Sequence, residues 1–453
     1  MLNIDHYDTI AAISTPQGVG GIAVIRISGD RALDIALRGI TLKTLAVRYA
    51  HFTQVQDPET KEIIDDVVVT FFKSPASYTG DDTVEISCHG GYAAAPSILN
   101  LYYKLGARPA LPGEFTRRAF MNGKMDLLQA EAVADLIHAV SESGKKLATR
   151  TLSGKLSQEV IELRAELTDI ASILELELDF SEQEITTLEK NDILDKLHIA
   201  QQHIRNLANS YSGGKILREG ALVPIAGRPN AGKSSLLNAL LEEERAIISH
   251  IPGTTRDTIE ESFIHDGVVF RLVDTAGLRK TEDPIEMIGA ERARKTLADA
   301  DLILLVVDLV DIGDLSFEKE FLENYSHIPI IVVYNKVDLS SEIPTLNTQY
   351  FLSVSALLHK ELTALTQLMT DLLHEHYQIG GNTVAITKQR HKYALQQALE
   401  ALIRTEGALL EKLSNEFLVL DIREAISSLD DITGHTTSED VLNNIFDHFC
   451  VGK

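Results

Sequence analysis

The octet Gly227-Arg-Pro-Asn-Ala-Gly-Lys-Ser234 fits G-x-x-x-x-G-K-[ST], a spacing that suits phosphate. Gly227 and Gly232 permit a tight turn whose backbone N–H groups converge on phosphate oxygens, with a helix N-terminus behind them. Asn230, Ala231, Gly232, Lys233, Ser234 and Ser235 are the positions expected against a nucleotide. Lys233 would reach the β- and γ-phosphates, and the Ser234 hydroxyl would hold Mg²⁺. Such an octet turns up by chance in roughly one or two chains of this length per hundred, so the remaining motifs must decide.

Three further elements follow in order. In Gly253-Thr-Thr-Arg-Asp257, Thr255 would add a second hydroxyl to Mg²⁺ when a γ-phosphate is present. Asp274-Thr275-Ala276-Gly277 is a D-x-x-G element: Asp274 would hold Mg²⁺ through water, and the Gly277 N–H would sense the γ-phosphate. Asn335-Lys336-Val337-Asp338 is N-K-x-D, whose aspartate accepts from both the ring N–H and the exocyclic amine of guanine. Adenine presents the wrong pattern, so the nucleotide is expected to be GTP. Ser355 and Ala356, in the stretch 353–356, would close over the base. Alone, N-K-x-D is usually a surface turn. Four elements in this order, each at a strand's C-terminal end, form a specific constellation. It resembles the Ras-like GTPases over residues 216–378.

One position departs from that pattern. Leu278 stands where many such proteins carry a water-orienting glutamine, and a leucine cannot polarise water. Hydrolysis must then recruit another group, with Arg279, Glu282 and Glu286 as candidates. The competing reading is a slow switch that waits for an external activator.

The elements that position these residues can be read from apolar periodicity. Residues 221–226, 268–273, 302–307 and 328–334 are strand-like runs, the last two continuously apolar as buried parallel strands require. Asp266-Gly267 supplies a hairpin turn, and Pro224 is a misfit in a strand that should be central. Residues 1–118 read as an α+β domain, with strands at 9–14, 21–28, 66–72 and 83–87 and a helix at 93–105. Cys88 and His89 lack a second ligand pair, so a structural role is expected for them. Helical stripes then run through Val133, Leu136, Ile137 and Val140, through residues 156–174 and 193–207, and again through residues 395–413. Breaks are expected at 212–214 and 380–382. The economical layout is a helical domain in two parts, 119–215 and 379–453, into which the nucleotide domain 216–378 is inserted.

With 453 residues the chain has room for about three domains, and 44% hydrophobic content is ordinary for a soluble protein. Apolar runs stay well short of a membrane helix, the N-terminus lacks a signal-peptide pattern, and two cysteines give no disulfide framework. A cytoplasmic protein is expected. The net charge of −24 repels nucleic-acid backbones, so any RNA work needs a local basic patch or a basic partner.

Beyond these motifs the chain resembles, end to end, the MnmE (TrmE) family of tRNA-modification GTPases. The resemblance rests on residues 20–29, 78–82, 113–120 and 122–132, the phosphate loop with Asn230, residues 253–257 and 274–279, and the terminal Phe449-Cys-Val-Gly-Lys453. It implies a multidomain fold: an N-terminal α+β folate-binding and dimerisation domain, an α-helical bundle, and an inserted Ras-like α/β domain. It also implies a homodimer, and K⁺-stimulated hydrolysis when the nucleotide domains meet. With a flavin-dependent partner, MnmG (GidA), the family installs a 5-aminomethyl-type (carboxymethylaminomethyl) group on the tRNA wobble uridine. The one-carbon unit comes from a 5-formyl- or methylene-tetrahydrofolate, and tRNA would be held mainly through the partner.

Residue by residue, the resemblance puts K⁺ on Asn230, Ser249, Ile251 and Thr254. It selects Glu286, twelve residues after Asp274, as the catalytic glutamate and leaves Arg279 as a supporting or switch residue. For the folate it implies Arg26, Glu85, Lys124 and Lys453. Without the resemblance each of these would read as a solvated charge. Cys450 is either a small buried apolar residue or a thiol near the folate that takes part in uridine modification. The rival reading of the chain is a GTP-dependent regulatory or ribosome-assembly switch without folate chemistry. Least supported is a folate enzyme in which the GTPase merely regulates.

Overall fold

Period-two alternation in the first hundred residues builds a sheet with one buried face. The computed structural model describes residues 8–179, 190–243, 260–274, 291, 293–340, 342–377, 379 and 384–453. Contacts divide the chain into two units, Met1–Ala134 with Asp430–Lys453, and Asp135–Leu429.

In the first unit the strands are β1 (Ile10–Ile13), β2 (Ala23–Ser28), β3 (Ala50–Gln56), β4 (Ile63–Phe72), β5 (Thr83–Cys88) and β6 (Arg108–Pro109). They form a six-stranded sheet in the order β3-β4-β5-β2-β1-β6, antiparallel except for the β1–β6 pair. Along β4, Val67, Val69 and Phe71 point into the core while Val68 is 39% exposed, so one face is wet. Helices α1 (Ala32–Arg38) and α2 (Ala94–Lys104) contribute Ile35, Ile98 and Tyr102 to that core. Helices α3 (Glu114–Met121) and α4 (Leu127–His138) follow.

The end of the chain closes back on this unit. Phe446 of the last helix, Glu439–Asp447, and Phe449 pack with Leu127 and Ala130, and Val451 bridges to Pro112. Gly452 has φ +96°, and a Cβ there would lie 2.3 Å from the Ile13 carbonyl oxygen, so the tail passes where only glycine fits.

The second unit begins with helices α5 (Glu142–Leu152), α6 (Lys155–Asp179), α7 (Lys190–Asn209) and α8 (Tyr211–Glu219). The expected stripes Leu156, Val160, Leu163, Leu167, Ile170, Leu174 and Ile193, Leu197, Ala200, Ile204, Leu207 are all buried. The stripe of Val133, Leu136, Ile137 and Val140 is not. Ile137, inside α4, is 46% exposed, and Val140, beyond its end at His138, is 38% exposed. The break expected at 212–214 is also corrected: Gly213 and Gly214 lie inside α8. Their role is close approach, since Cβ atoms would fall 2.7 Å from the Tyr377 carbonyl oxygen and 2.2 Å from that of Ile386. The other break, at 380–382, lies outside the described residues.

The sheet of the second unit contains β7 (Ala221–Gly227), which leads into α9 (Lys233–Glu243), then β8 (Glu260–His265), β9 (Val268–Asp274) and β10 (Ile303–Asp308). Helix α10 (Ser316–Asn324), β11 (Ile330–Asn335), β12 (Phe351–Val354) and α11 (Leu362–Tyr377) complete it, before α12 (Gln389–Leu410) and α13 (Asn415–Thr433). The order is β12-β11-β10-β7-β9-β8, parallel except for the β8–β9 hairpin. Asp266 (φ +47°) and Gly267 (φ +80°) make the two-residue turn of that hairpin. Alternate residues of β10 fill opposite cores, Leu304 and Val306 on one face and Ile303, Leu305 and Val307 on the other. Both faces are therefore dry, which explains the unbroken apolar run. Pro224 is tolerated because registered pairing of β7 with β10 begins only at Ile225, and the Leu222 N–H before it donates to the Asp301 carboxylate.

Candidate functional site

The chain crosses from one side of β7 to the other between β9 and β10, and the phosphate loop opens at the carboxyl end of β7 where this reversal makes a crevice. Two glycines are required sterically. Gly227 has φ +143° and a Cβ would lie 2.3 Å from the Val306 carbonyl oxygen; Gly232 has φ +93° and a Cβ would lie 2.2 Å from Asn335 Nδ2. Asn230 also adopts a left-handed backbone, φ +63°.

Side chains engage the loop's carbonyl oxygens one after another. Lys233 Nζ donates to Gly227 O (3.0 Å) and Arg228 O (2.8 Å), Lys336 Nζ to Asn230 O (3.2 Å), and Asn335 Nδ2 to Ala231 O (3.0 Å). Each planar trans peptide directs its N–H opposite to its oxygen, so the N–H of Gly232 points away from Asn335. The first N–H groups of α9 have no intrahelical acceptor and add to the same cradle. Burial lowers the pKa of Lys233, and the nearby Asp274 carboxylate opposes that shift. Ser235 lies exposed in the first turn of α9.

Asp274 ends β9 beside this loop. Its Oδ2 accepts from Ser234 Oγ at 2.7 Å, whereas Oδ1 is buried without a hydrogen-bond partner among the described residues. A hydroxyl and an orphaned carboxylate oxygen side by side are hard oxygen donors of the kind Mg²⁺ takes. No cluster of three or more His, Cys, Asp or Glu that could hold a metal occurs among the described residues.

The guanine motif is fixed from below. Asn335 is 2% exposed, and its Oδ1 accepts from the Ala356 N–H at 3.1 Å while its amide holds the phosphate loop. One side chain thus ties the base pocket to the phosphate pocket. Lys336 (φ +68°) donates to Asp308 Oδ2 at 2.5 Å, an acid at the end of β10 that motif reading missed. Its only signal was a carboxylate closing the run 302–307. Asp338 is exposed, and its Oδ1 accepts from the buried Ser355 Oγ at 2.5 Å.

A second group of predicted residues meets in the N-terminal unit. Arg26 and Glu85 are register partners on β2 and β5, and Arg26 Nε and Nη2 both donate to Glu85 Oε1 (3.0 and 2.8 Å). The guanidinium lies over the rings of Tyr78 (5.0 Å) and Phe115 (5.5 Å), while Arg26 Nη1 is buried with no hydrogen-bond partner among the described residues. The Lys453 pKa is lowered, mainly by burial and then by Arg26, against opposing Glu85 and Cys450. An orphaned guanidinium N–H, a carboxylate and a desolvated ammonium suit a ligand with amide-like and anionic groups, as a folate has. Lys124 makes a different contact: it is exposed and donates to the Pro75 carbonyl oxygen (2.9 Å), in the loop that carries Tyr78. Cys450 is exposed, which removes the reading of it as a buried apolar residue. Cys88 is buried and donates to the Ala23 carbonyl oxygen, and burial pushes its pKa up to about 11. The neighbouring His89 pairs with Asp65.

Ser249, Ile251, Thr254, Thr255, Thr275, Ala276, Gly277, Leu278, Arg279, Glu282 and Glu286 lie outside the described residues. No helix among the described residues is long and apolar enough to cross a membrane.

Comparison with known proteins covers nearly the whole chain. A family profile described as "MnmE helical domain" matches residues 127–450, and one described as "GTP-binding protein TrmE N-terminus" matches residues 9–124. The tRNA modification GTPase MnmE of Chlorobium phaeobacteroides is 42% identical over 464 residues, covering 98% of this chain and 97% of its own. Its namesake in Natranaerobius thermophilus is 40% identical over 457 residues (98% and 99%), and that of Syntrophus aciditrophicus 42% over 462 (98% and 99%).

Proposed function

We propose a function from one premise: the chain belongs to the MnmE family of tRNA modification GTPases. It is a GTPase that acts in tRNA modification. The finer reading is a homodimeric, K⁺-stimulated enzyme that works with a flavin-dependent MnmG (GidA) partner to install a 5-aminomethyl-type group on the wobble uridine. The observation that carries the nucleotide half is the joining of phosphate loop and guanine motif through Asn335 and Lys336.

In this reading the cradle of backbone N–H groups and Lys233 hold the β- and γ-phosphates, and Asp338 with Ser355 and Ala356 selects guanine. Ser234 and Thr255 would hold Mg²⁺, and Asn230, Ser249, Ile251 and Thr254 would hold K⁺. When bound, these cations supply positive charge to the oxygens of the transferring phosphoryl group, as an arginine finger does elsewhere. Glu286 orients the attacking water, directly or through a second water, and Arg279 supports the loop. Thr275, Ala276 and Gly277 follow the γ-phosphate. Hydrolysis breaks the bond between the γ-phosphorus and the β–γ bridging oxygen, leaving GDP and phosphate.

In the N-terminal unit Arg26, Glu85, Lys124 and Lys453 would hold the tetrahydrofolate, which supplies a one-carbon unit when bound. Glu85 accepts from donors on the pterin, as Asp338 does from guanine, and Cys450 stands near Lys453.

The test is GTP turnover of the full chain without partner, in KCl and in NaCl. Turnover at least about tenfold faster in K⁺ is expected, a barrier difference of about 1.4 kcal/mol. Equal and very slow rates in both salts would favour the rival, a regulatory switch without folate chemistry.

A further inference from the structure

The phosphate-loop motif assigns no task to its second residue, Arg228, yet the structure fixes that side chain firmly. Arg228 Nε donates to Glu318 Oε1 at 2.8 Å and Nη2 to Glu318 Oε2 at 2.9 Å, a two-point fork. Nη2 also donates to Asp314 Oδ1 at 3.1 Å. Gly313 has φ +60°, and a Cβ there would lie 2.8 Å from Arg228 Nη1, so the guanidinium lies across the glycine's bare face. Asp314 Oδ1 further accepts from the Ser316 N–H and Oγ, which joins the contact to the first turn of α10.

Burial decides which partner matters. Glu318 is 1% exposed, whereas the Asp314 side chain is 75% exposed. A carboxylate taken out of water is costly unless it is paired and hydrogen-bonded, and Arg228 is the cation paired with Glu318 among the described residues. A neighbouring contact involves Asp308, the last residue of β10, which accepts from Lys336 Nζ after β11, and Lys336 Nζ also donates to Asn230 O. The segment from Asp308 to Glu318 therefore meets the phosphate loop directly at Arg228, and indirectly at Asn230 through Lys336.

We propose that Glu318, assisted by Asp314, is a positioning residue for GTP. It anchors Arg228, and through it the turn from Gly227 to Asn230, so that the N–H cradle is set before phosphate arrives. The inference rests on residues 227–234 being the GTP phosphate loop, and adds a determinant that the motif does not contain. Preorganisation of this kind appears in affinity rather than in the chemical step.

Glu318→Ala, Glu318→Gln, Asp314→Ala, Arg228→Ala and the Glu318→Ala/Arg228→Ala double variant are compared in the full chain. A fluorescent GTP analogue gives Kd, and GTP turnover gives KM and kcat. Glu318→Ala is expected to raise Kd and KM about tenfold, as loss of a charged hydrogen-bond pair implies, with kcat changed less than about twofold. Glu318→Gln, which keeps one neutral acceptor, recovers part of that loss. The double variant binds no more weakly than Arg228→Ala alone, because the two side chains act as a unit. If Glu318→Ala does not fold, Glu318→Gln and the exposed Asp314→Ala carry the test with smaller losses of the same kind. Unchanged affinity in all folded variants, or losses that add in the double variant, overturns the proposal. A parent chain that binds no GTP overturns the nucleotide reading itself, so the two failures are distinct.

Discussion

Glu286→Ala leaves GTP binding within about twofold of the parent and lowers kcat by about 10²–10⁴-fold, the range for losing a group that handles the attacking water. The reasoning begins at Leu278, which occupies the position of a water-orienting glutamine and has no atom that can accept a proton or align water. Nothing in the phosphate loop takes that role. Lys233 is a cation over carbonyl oxygens, and Ser234 is hydrogen-bonded to Asp274. On the proposed reading the acceptor comes from the segment after Asp274, where the family resemblance selects Glu286. Single-turnover hydrolysis and titration with a fluorescent GTP analogue separate the two quantities. A large loss of GTP affinity, or kcat within a few fold of the parent, would contradict the assignment.

Asp338→Asn weakens GTP by about 10²–10³-fold and admits xanthine nucleotides. A pocket built to receive two donors rejects a base that presents an acceptor in place of one of them, because polar groups are then left unpaired. Asparagine replaces one carboxylate oxygen with an NH₂ group, which complements the C2 carbonyl of xanthine. The pocket itself should survive: Ser355 Oγ can donate to the remaining oxygen, and Asn335 still holds Ala356 and the phosphate loop. Competition between GTP and XTP in the variant is the measurement, and an unchanged preference for GTP would refute the role.

Different parts of the molecule were legible for different reasons. The nucleotide elements lie in short contiguous motifs next to strands whose apolar runs are unmistakable, so β7, β9, β10 and β11 can be placed from order and spacing. Long-range partners leave no such trace. Asp308 and Glu318 look like surface acids in the sequence, and only folding brings them to Lys336 and Arg228. The same holds for Tyr78 and Phe115 beneath Arg26.

Glycines misled in one place. Gly213 and Gly214 read as a chain break, but they are small so that the backbone at Tyr377 and Ile386 can approach α8. The two-part helical layout also assigns residues 430–453 to the helices before them. Residues 430–453 instead pack with the N-terminal unit, because Phe446 and Phe449 cover Leu127 and Gly452 passes under Ile13. That return of the chain brings Lys453 toward Arg26 and Glu85, a meeting that no local pattern announces.

The most direct measurement is reconstitution of the full chain with an MnmG-type flavoprotein, tRNA, GTP, K⁺ and a methylene-tetrahydrofolate, read out by nucleoside analysis of the wobble position. The account predicts an aminomethyl-type uridine with the parent chain, and none when Glu286→Ala replaces it or GTP is withheld. Modification that proceeds equally well without GTP hydrolysis, or that never appears although GTP is turned over, would contradict it.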